Sequence, residues 1–174
     1  VLMCWGFGAS GRLGYGNTAD IGDNETPASA GAVQIGGSAV HVSAGGAHTC
    51  AVRSNGAVLC WGSGLNGRLG YGNTNTVGAS NTPQSVGAVS VGASVVAVGA
   101  GDAHTCVLLV GGGVKCWGLG SFGILGYNST TDRGHTPATI PSTYGNVSLG
   151  GPATMLTGGS AHFCVLVYSG VFCW

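Results

Sequence analysis

The tripeptide Cys-Trp-Gly occurs at Cys4-Trp5-Gly6, Cys60-Trp61-Gly62 and Cys116-Trp117-Gly118, and Cys173-Trp174 begins a fourth copy. The intervals are 56, 56 and 57 residues. A period of that length restricts the chain to repeat architectures, in which each unit buries its apolar face against the next. Other landmarks return in register. Leu-Gly-Tyr stands at Leu13-Gly14-Tyr15, Leu69-Gly70-Tyr71 and Leu125-Gly126-Tyr127. Thr-Pro follows at Thr26-Pro27, Thr82-Pro83 and Thr136-Pro137, and His-x-Cys at His48-Thr49-Cys50, His104-Thr105-Cys106 and His162-Phe163-Cys164. Chance does not produce four landmarks in the same order three times. The repeats are read as 4–59, 60–115 and 116–172, within one partial domain covering 1–174.

Each period reads as strands. In the second, the β-branched run 95–98 suits a buried inner strand, and 104–109 and 114–117 supply two more. The stretch 83–91, with Val86, Val89 and Val91 spaced by Ser, Gly and Ala, is expected to provide a fourth. Glycine interrupts every candidate helix, there being 36 in the chain. The expected fold class is therefore all-β, a β-propeller of four-stranded antiparallel blades. A parallel β-helix, the rival solenoid, uses much shorter coils.

The landmarks also carry a resemblance. Gly45-Gly46-Ala47-His48-Thr49-Cys50 leads through the turn Asn55-Gly56 to Val58-Leu59-Cys60-Trp61-Gly62 and then to Gly67-Arg68-Leu69-Gly70. This succession resembles the regulator-of-chromosome-condensation repeat and covers essentially the whole chain. The resemblance implies a propeller, usually of seven blades, of which three repeats are an arc. The cysteine-bearing form, with Leu-Gly-Tyr-Gly-Asn-Thr at 13–18 and 69–74, is similar to secreted members of the family. The charge of the nuclear member is absent, so its chromatin binding and nucleotide exchange are not carried over.

The seven cysteines divide into three pairs and one remainder. Cys50 and Cys60 flank Ser54-Asn55-Gly56, a three-residue hairpin loop with glycine last, which places them opposite each other at disulfide distance. Cys106 and Cys116 repeat the separation, whereas Cys164 and Cys173 lie one residue closer and need a different turn. Cys4 matches the second member of each pair, with its partner missing. Two other readings stay open: reduced core thiols, and a metal site using His48 and Cys50. Disulfides imply an oxidising compartment, extracellular or at the cell surface. Three sequons agree with it, offering N-linked glycan sites at Asn24, Asn128 and Asn146.

Composition excludes other classes. Charged residues make up 6% of the chain, and the net charge is zero. Five basic residues, Arg12, Arg53, Arg68, Lys115 and Arg133, are scattered, a poor basis for displacing phosphate counterions, so no nucleic-acid partner is expected. No run approaches a membrane span. The repeated histidines His48, His104 and His162 recur once per period, as scaffold residues do, and are read as turn histidines bonded to backbone rather than as catalytic bases. Asp20, Asp23 and Glu25 are spaced for calcium, but the loop 75–81 has no acid, so a solvated turn is expected. The four tryptophans are read as packing residues. No catalytic residue, metal site or cofactor is assigned. The expected role is a non-catalytic extracellular structural or protein-binding module, whose partner is a protein. The alternatives are self-association into a surface structure or fibre, and an enzyme or inhibitor with its site in the variable loops 18–25, 73–80 and 130–135. The strand-like ends, 1–5 and 170–174, lead to the expectation that further blades flank these three.

Overall fold

The computed structural model describes residues Val1–Trp174. Three three-stranded antiparallel sheets follow one another along the chain. The first is β1 (Ala39–Ala44), β2 (His48–Arg53) and β3 (Val58–Gly62). The second is β4 (Val95–Ala100), β5 (His104–Leu109) and β6 (Val114–Gly118). The third is β7 (Ala153–Gly158), β8 (Phe163–Val167) and β9 (Gly170–Cys173). Each sheet keeps its strands in chain order, as hairpins joined by short turns require. No helix is long and apolar enough to cross a membrane.

The central strands of the first two sheets are buried, β5 along its whole length between neighbouring blades and β2 from His48 to Val52. The alternation of strand side chains then divides their loyalties. On β5, Val107 and Leu109 join the core shared with the first blade, while Cys106 and Leu108 join the core shared with the third. Backbone bonds tie the blades together at the turns between first and second strands: Gly46 N donates to Gly101 O (3.2 Å) and Asp102 N to Ser160 O (2.8 Å). At the outer rim Gln84 N donates to Gln34 O and Ser142 N to Ser90 O, each at 3.0 Å.

The fourth strand expected over 83–91 does not form. Pro83–Val86 is a short helix, and its counterparts Pro27–Ala30 and Pro137–Thr139 are 3-10 turns. The cause is the Thr-Pro step. Thr26, Thr82 and Thr136 hold extended backbone at the N-cap, and the proline that follows has its φ preset for a helical turn and no N–H to give to a ladder. What remains of the fourth-strand position is a single bond per blade: Val89 N donates to Val58 O and Val147 N to Val114 O, both at 2.8 Å. Val33 N reaches Leu2 O in the same way at 2.9 Å, so segment 1–6 takes the place that β3 and β6 hold in the other blades. The sheets begin near Ala39, Val95 and Ala153, out of phase with a period counted from Cys-Trp-Gly.

Candidate functional site

The hairpin cysteines sit where their spacing puts them. Gly56 has φ +80°, the left-handed value that a three-residue loop asks of its last position, and Cys50 then pairs with Cys60 in the β2–β3 register. Cys106 pairs with Cys116 and Cys164 with Cys173. All three pairs are disulfide-bonded with Cα atoms 4.1 Å apart. The shorter third interval is absorbed by a two-residue turn, since Val167 pairs directly with Gly170. Cys4 is half-buried and unpaired, and burial pushes its thiol up to about 11.

The close spacing of these pairs has a visible cause. The N–H and C=O of Cys60 point away from β2 and are taken by one atom, the Tyr71 hydroxyl, which accepts from the N–H (3.2 Å) and donates to the C=O (3.1 Å). Cys50–Cys60 is thus a non-hydrogen-bonded pair, the closer of the two antiparallel kinds. Tyr15 holds Cys4 in the same grip, at 3.1 and 3.0 Å. In the third repeat the work is divided: Tyr127 accepts from Cys116 N–H and Tyr144 donates to its C=O. The Leu-Gly-Tyr motif therefore satisfies the edge of the stapled strand in place of a fourth strand. Burial pushes Tyr71 and Tyr127 to about 12, which keeps on Tyr71 the proton that its double role needs. The motif's glycine has a separate task. A Cβ on Gly14, Gly70 or Gly126 would lie 2.7–2.9 Å from the indole nitrogen of Trp61, Trp117 or Trp174.

The repeated histidines do not bond to backbone as expected. His48 Nε2 lies 2.8 Å from the Thr105 hydroxyl in the next blade. Thr105 gives its own proton to Arg68 O (2.9 Å), so His48 is the donor and carries its proton on Nε2. Trp117 Nε1 donates to the same Arg68 carbonyl at 3.0 Å. The link is not repeated. Phe163 stands where Thr105 stands, and His104, wholly buried, packs edge-on against it at 5.0 Å with neither ring nitrogen bonded. Burial pulls His48 down to about 3 and His104 to about 4, so both are neutral scaffold groups near pH 7. His162, His41 and His135 join no common site with them.

The acids and bases are also engaged within the chain. Asp20 and Asp132 each accept from a backbone N–H, Gly8 at 2.7 Å and Gly120 at 2.8 Å, and Glu25 accepts from Gly22 N. Arg12 and Arg68 cap their own turns and reach on to Gly46 O and Asp102 O. Lys115 is buried, with its ammonium on the carbonyls of Val91, Pro141 and Tyr144 (2.6–3.3 Å). Arg53 donates to Gly36 O, and Arg133 is stacked between Tyr127 and Tyr144 at 4.4 and 4.5 Å. Of the sequon asparagines, Asn24, Asn128 and Asn146 are all exposed. Asn128 has φ +52° where Gly16 and Gly72 stand in the other repeats, so a backbone need explains that asparagine independently of its sequon. The exposed, non-repeating surface is in the loops, at 19–20, 23–24, 75–76 and 130–131.

A repeat scaffold of stapled three-stranded sheets with variable exposed loops defines the class. Models of the Regulator of chromosome condensation (RCC1) repeat match residues 2–52 and 55–108, and a second such model matches 39–68 and 95–124. The chain belongs to the RCC1 repeat family. It is 35% identical over 169 residues to the ultraviolet-B receptor UVR8 of Arabidopsis thaliana, covering 97% of this chain and 35% of that one. It is also 35% identical over 133 residues to the human E3 ubiquitin-protein ligase HERC2, covering 76% of this chain and 3% of the relative. The chain thus spans about a third or less of these relatives. Two solved structures share the fold: human WBSCR16 (TM-score 0.65, 20% identity, 97% of this chain and 46% of that one) and Prp20p of Saccharomyces cerevisiae (TM-score 0.64, 23% identity, 99% and 40%). The Prp20p structure is described together with that protein's binding to Gsp1p and histones.

Proposed function

We propose that the chain is a non-catalytic, protein-binding arc of an extracellular propeller. The reading is carried by the division between scaffold and loops. The landmarks that recur are spent on holding blades together, while 18–25, 73–80 and 130–135 differ from repeat to repeat, with most of 18–25 and 73–80 and residues 130 and 131 exposed. Rigid frames that present variable loops are suited to recognition. Three disulfides and a nearly uncharged surface fit an oxidising compartment. Occupancy of Asn24 by a glycan belongs to the same reading, and an intact mass with and without glycosidase checks it. The engagement of all five basic side chains within the chain leaves no phosphate-binding stripe, and a low-salt gel shift is expected to show no retained duplex.

The test is affinity capture from the extracellular fraction of the source cells. The native chain is compared with a variant in which 18–25 and 130–135 are replaced by the corresponding loop of the second repeat. Capture of a protein by the native chain and its loss in the variant is the expected result. Equal capture by both would place binding on the scaffold and overturn the loop reading.

A second reading, self-association, is favoured by the nearly uncharged composition, since a net charge of zero does little to keep copies apart. Concentration-dependent sedimentation distinguishes it.

A further inference from the structure

Arg53 breaks the pattern of its position. It ends β2 opposite Ala39, where Leu109 stands opposite Val95 and Val167 opposite Ala153. Leu109 and Val167 belong to the apolar cores. A guanidinium in such a place is costly unless its donors are used. Arg53 uses few of them. Nη1 donates to Gly36 O at 3.1 Å, Nε is buried without a partner, and Nη2 has none in the chain. Arg12, Arg68 and Lys115 each make two or three hydrogen bonds, and Arg133 is held between two tyrosine rings.

Arg53 lines an open cavity of about 400 Å³ between the first and second sheets, with Val40, Val96, Val110, Ser54 and Ser94. Both sheets have all three strands, and neither end of the chain takes part. The valines face outward for a local reason. The pairing of β1 with β2 steps from Ala39–Arg53 to His41–Val52, which leaves Val40 as the extra residue of a bulge, and β4 does the same at Val96. A bulge re-aims its side chain. Val110 follows the last residue of β5, in the turn to β6. The three valines are 61%, 46% and 67% exposed. No lining residue is acidic, so the cation meets aliphatic side chains and no countercharge. Between the second and third sheets the corresponding residues are Leu109 and the bulge residue Thr154, and Pro152 crowds Gly112. The pairing of a cation with exposed valines does not recur there.

We propose that this groove binds the C-terminal residue of a protein partner, its carboxylate on Arg53 and its aliphatic side chain among Val40, Val96 and Val110. A chain terminus carries a carboxylate and a branched side chain on one carbon, which matches a guanidinium beside valines. An Asp or Glu side chain supplies the charge without the apolar group. A phosphate or sulfate dianion would lose its water against the valines. The hydroxyls of Ser54 and Ser94 are exposed and remain for the last peptide group. The volume lies within the range of about 300–1,000 Å³ that suits a small ligand. Charge-assisted hydrogen bonding supplies the affinity, and the valines select the side chain. None of the loops 18–25, 73–80 and 130–135 lines the groove, so the site is separate from the one proposed for those loops.

The experiment titrates the isotopically labelled chain with N-acetyl-Ala-Val bearing a free carboxylate and follows the amide resonances of Ser94, Val96 and Val110. The free acid is expected to shift them. Its C-terminal amide should bind about tenfold or more weaker, the worth of one hydrogen bond to a charged group. Isovalerate, which has the carboxylate and the branched chain but no peptide group, should also bind more weakly. The preference for acid over amide should vanish in Arg53→Gln, and in Ser94→Asp, where a like charge faces the ligand. Exchange of loops 18–25 and 130–135 should leave acid binding unchanged, and its loss there would overturn the separate site. If Arg53→Gln fails to fold, Ser94→Asp at its exposed position and the comparison of acid with amide on the unaltered protein still decide. No shift with the acid, equal binding of acid and amide, isovalerate binding as tightly as the dipeptide, or an acid preference that survives the substitutions would each overturn the proposal.

Discussion

Thr105 and Phe163 occupy the same position in successive repeats, and the difference decides the state of a histidine. In Thr105→Val the His48 Nε2–H keeps its buried place and loses its acceptor. The expected cost is about 1–3 kcal/mol, read from denaturant unfolding. Phe163→Thr looks like a repair, since it offers His104 the hydroxyl that His48 has. Magnitudes favour the opposite result. A new hydrogen bond contributes about 1 kcal/mol, whereas truncating a fully buried aromatic ring costs about 3–5 kcal/mol, so net destabilisation is expected. The two histidines also set a pH dependence. Their folded values, about 3 and about 4, lie below the ordinary 6.5, so the unfolded chain binds more protons in the interval. Their contribution is fully present above about 6.5 and is lost as pH falls toward about 4. A thermal midpoint that drops between pH 7 and pH 4 checks this, and one that rises would contradict it. The histidines repeat in the sequence, but the hydroxyl that His48 bonds and the ring that His104 packs on do not belong to their own blades. The residue after each histidine, Thr in two cases and Phe in the third, is the signal that local reading passed over.

At the scale of the element, the hairpins were legible and the outer rim was not. A turn ending in Gly56 fixes the register of β2 and β3 with no information from elsewhere in the fold, and the cysteines follow from that register. The stretch 83–91 has valines at strand-like intervals, yet Pro83 at the head of a turn outweighs them. The edge of β3 is then closed by a side chain 11 residues further on, a tertiary contact that strand propensity does not contain. The constant interval between Cys-Trp-Gly and Leu-Gly-Tyr was the available clue. Tyr71→Phe tests its meaning. It removes one oxygen and leaves the buried N–H and C=O of Cys60 without a partner, which should cost about 1–3 kcal/mol while the Cys50–Cys60 disulfide persists. Calorimetry with a non-reduced peptide map measures both.

Across the whole molecule, every disulfide lies inside one blade, and the bonds between blades are non-covalent. Cohesion along the arc thus comes from apolar cores and single hydrogen bonds, a nearest-neighbour arrangement. Such an object has an unusual response to tension. If the chain is pulled from its ends, the blades can part in sequence, but each staple withholds the hairpin it closes. Of a repeat interval of 56 residues, a staple spanning 10 leaves about 46 free to extend, roughly 160 Å of stretched chain. Reduction would release the remaining length, about 35 Å per repeat, as a separate increment in a single-molecule trace. The same local stapling that makes each hairpin secure gives the arc the character of a tether, with slack that is metered blade by blade and a reserve that opens only under reducing conditions.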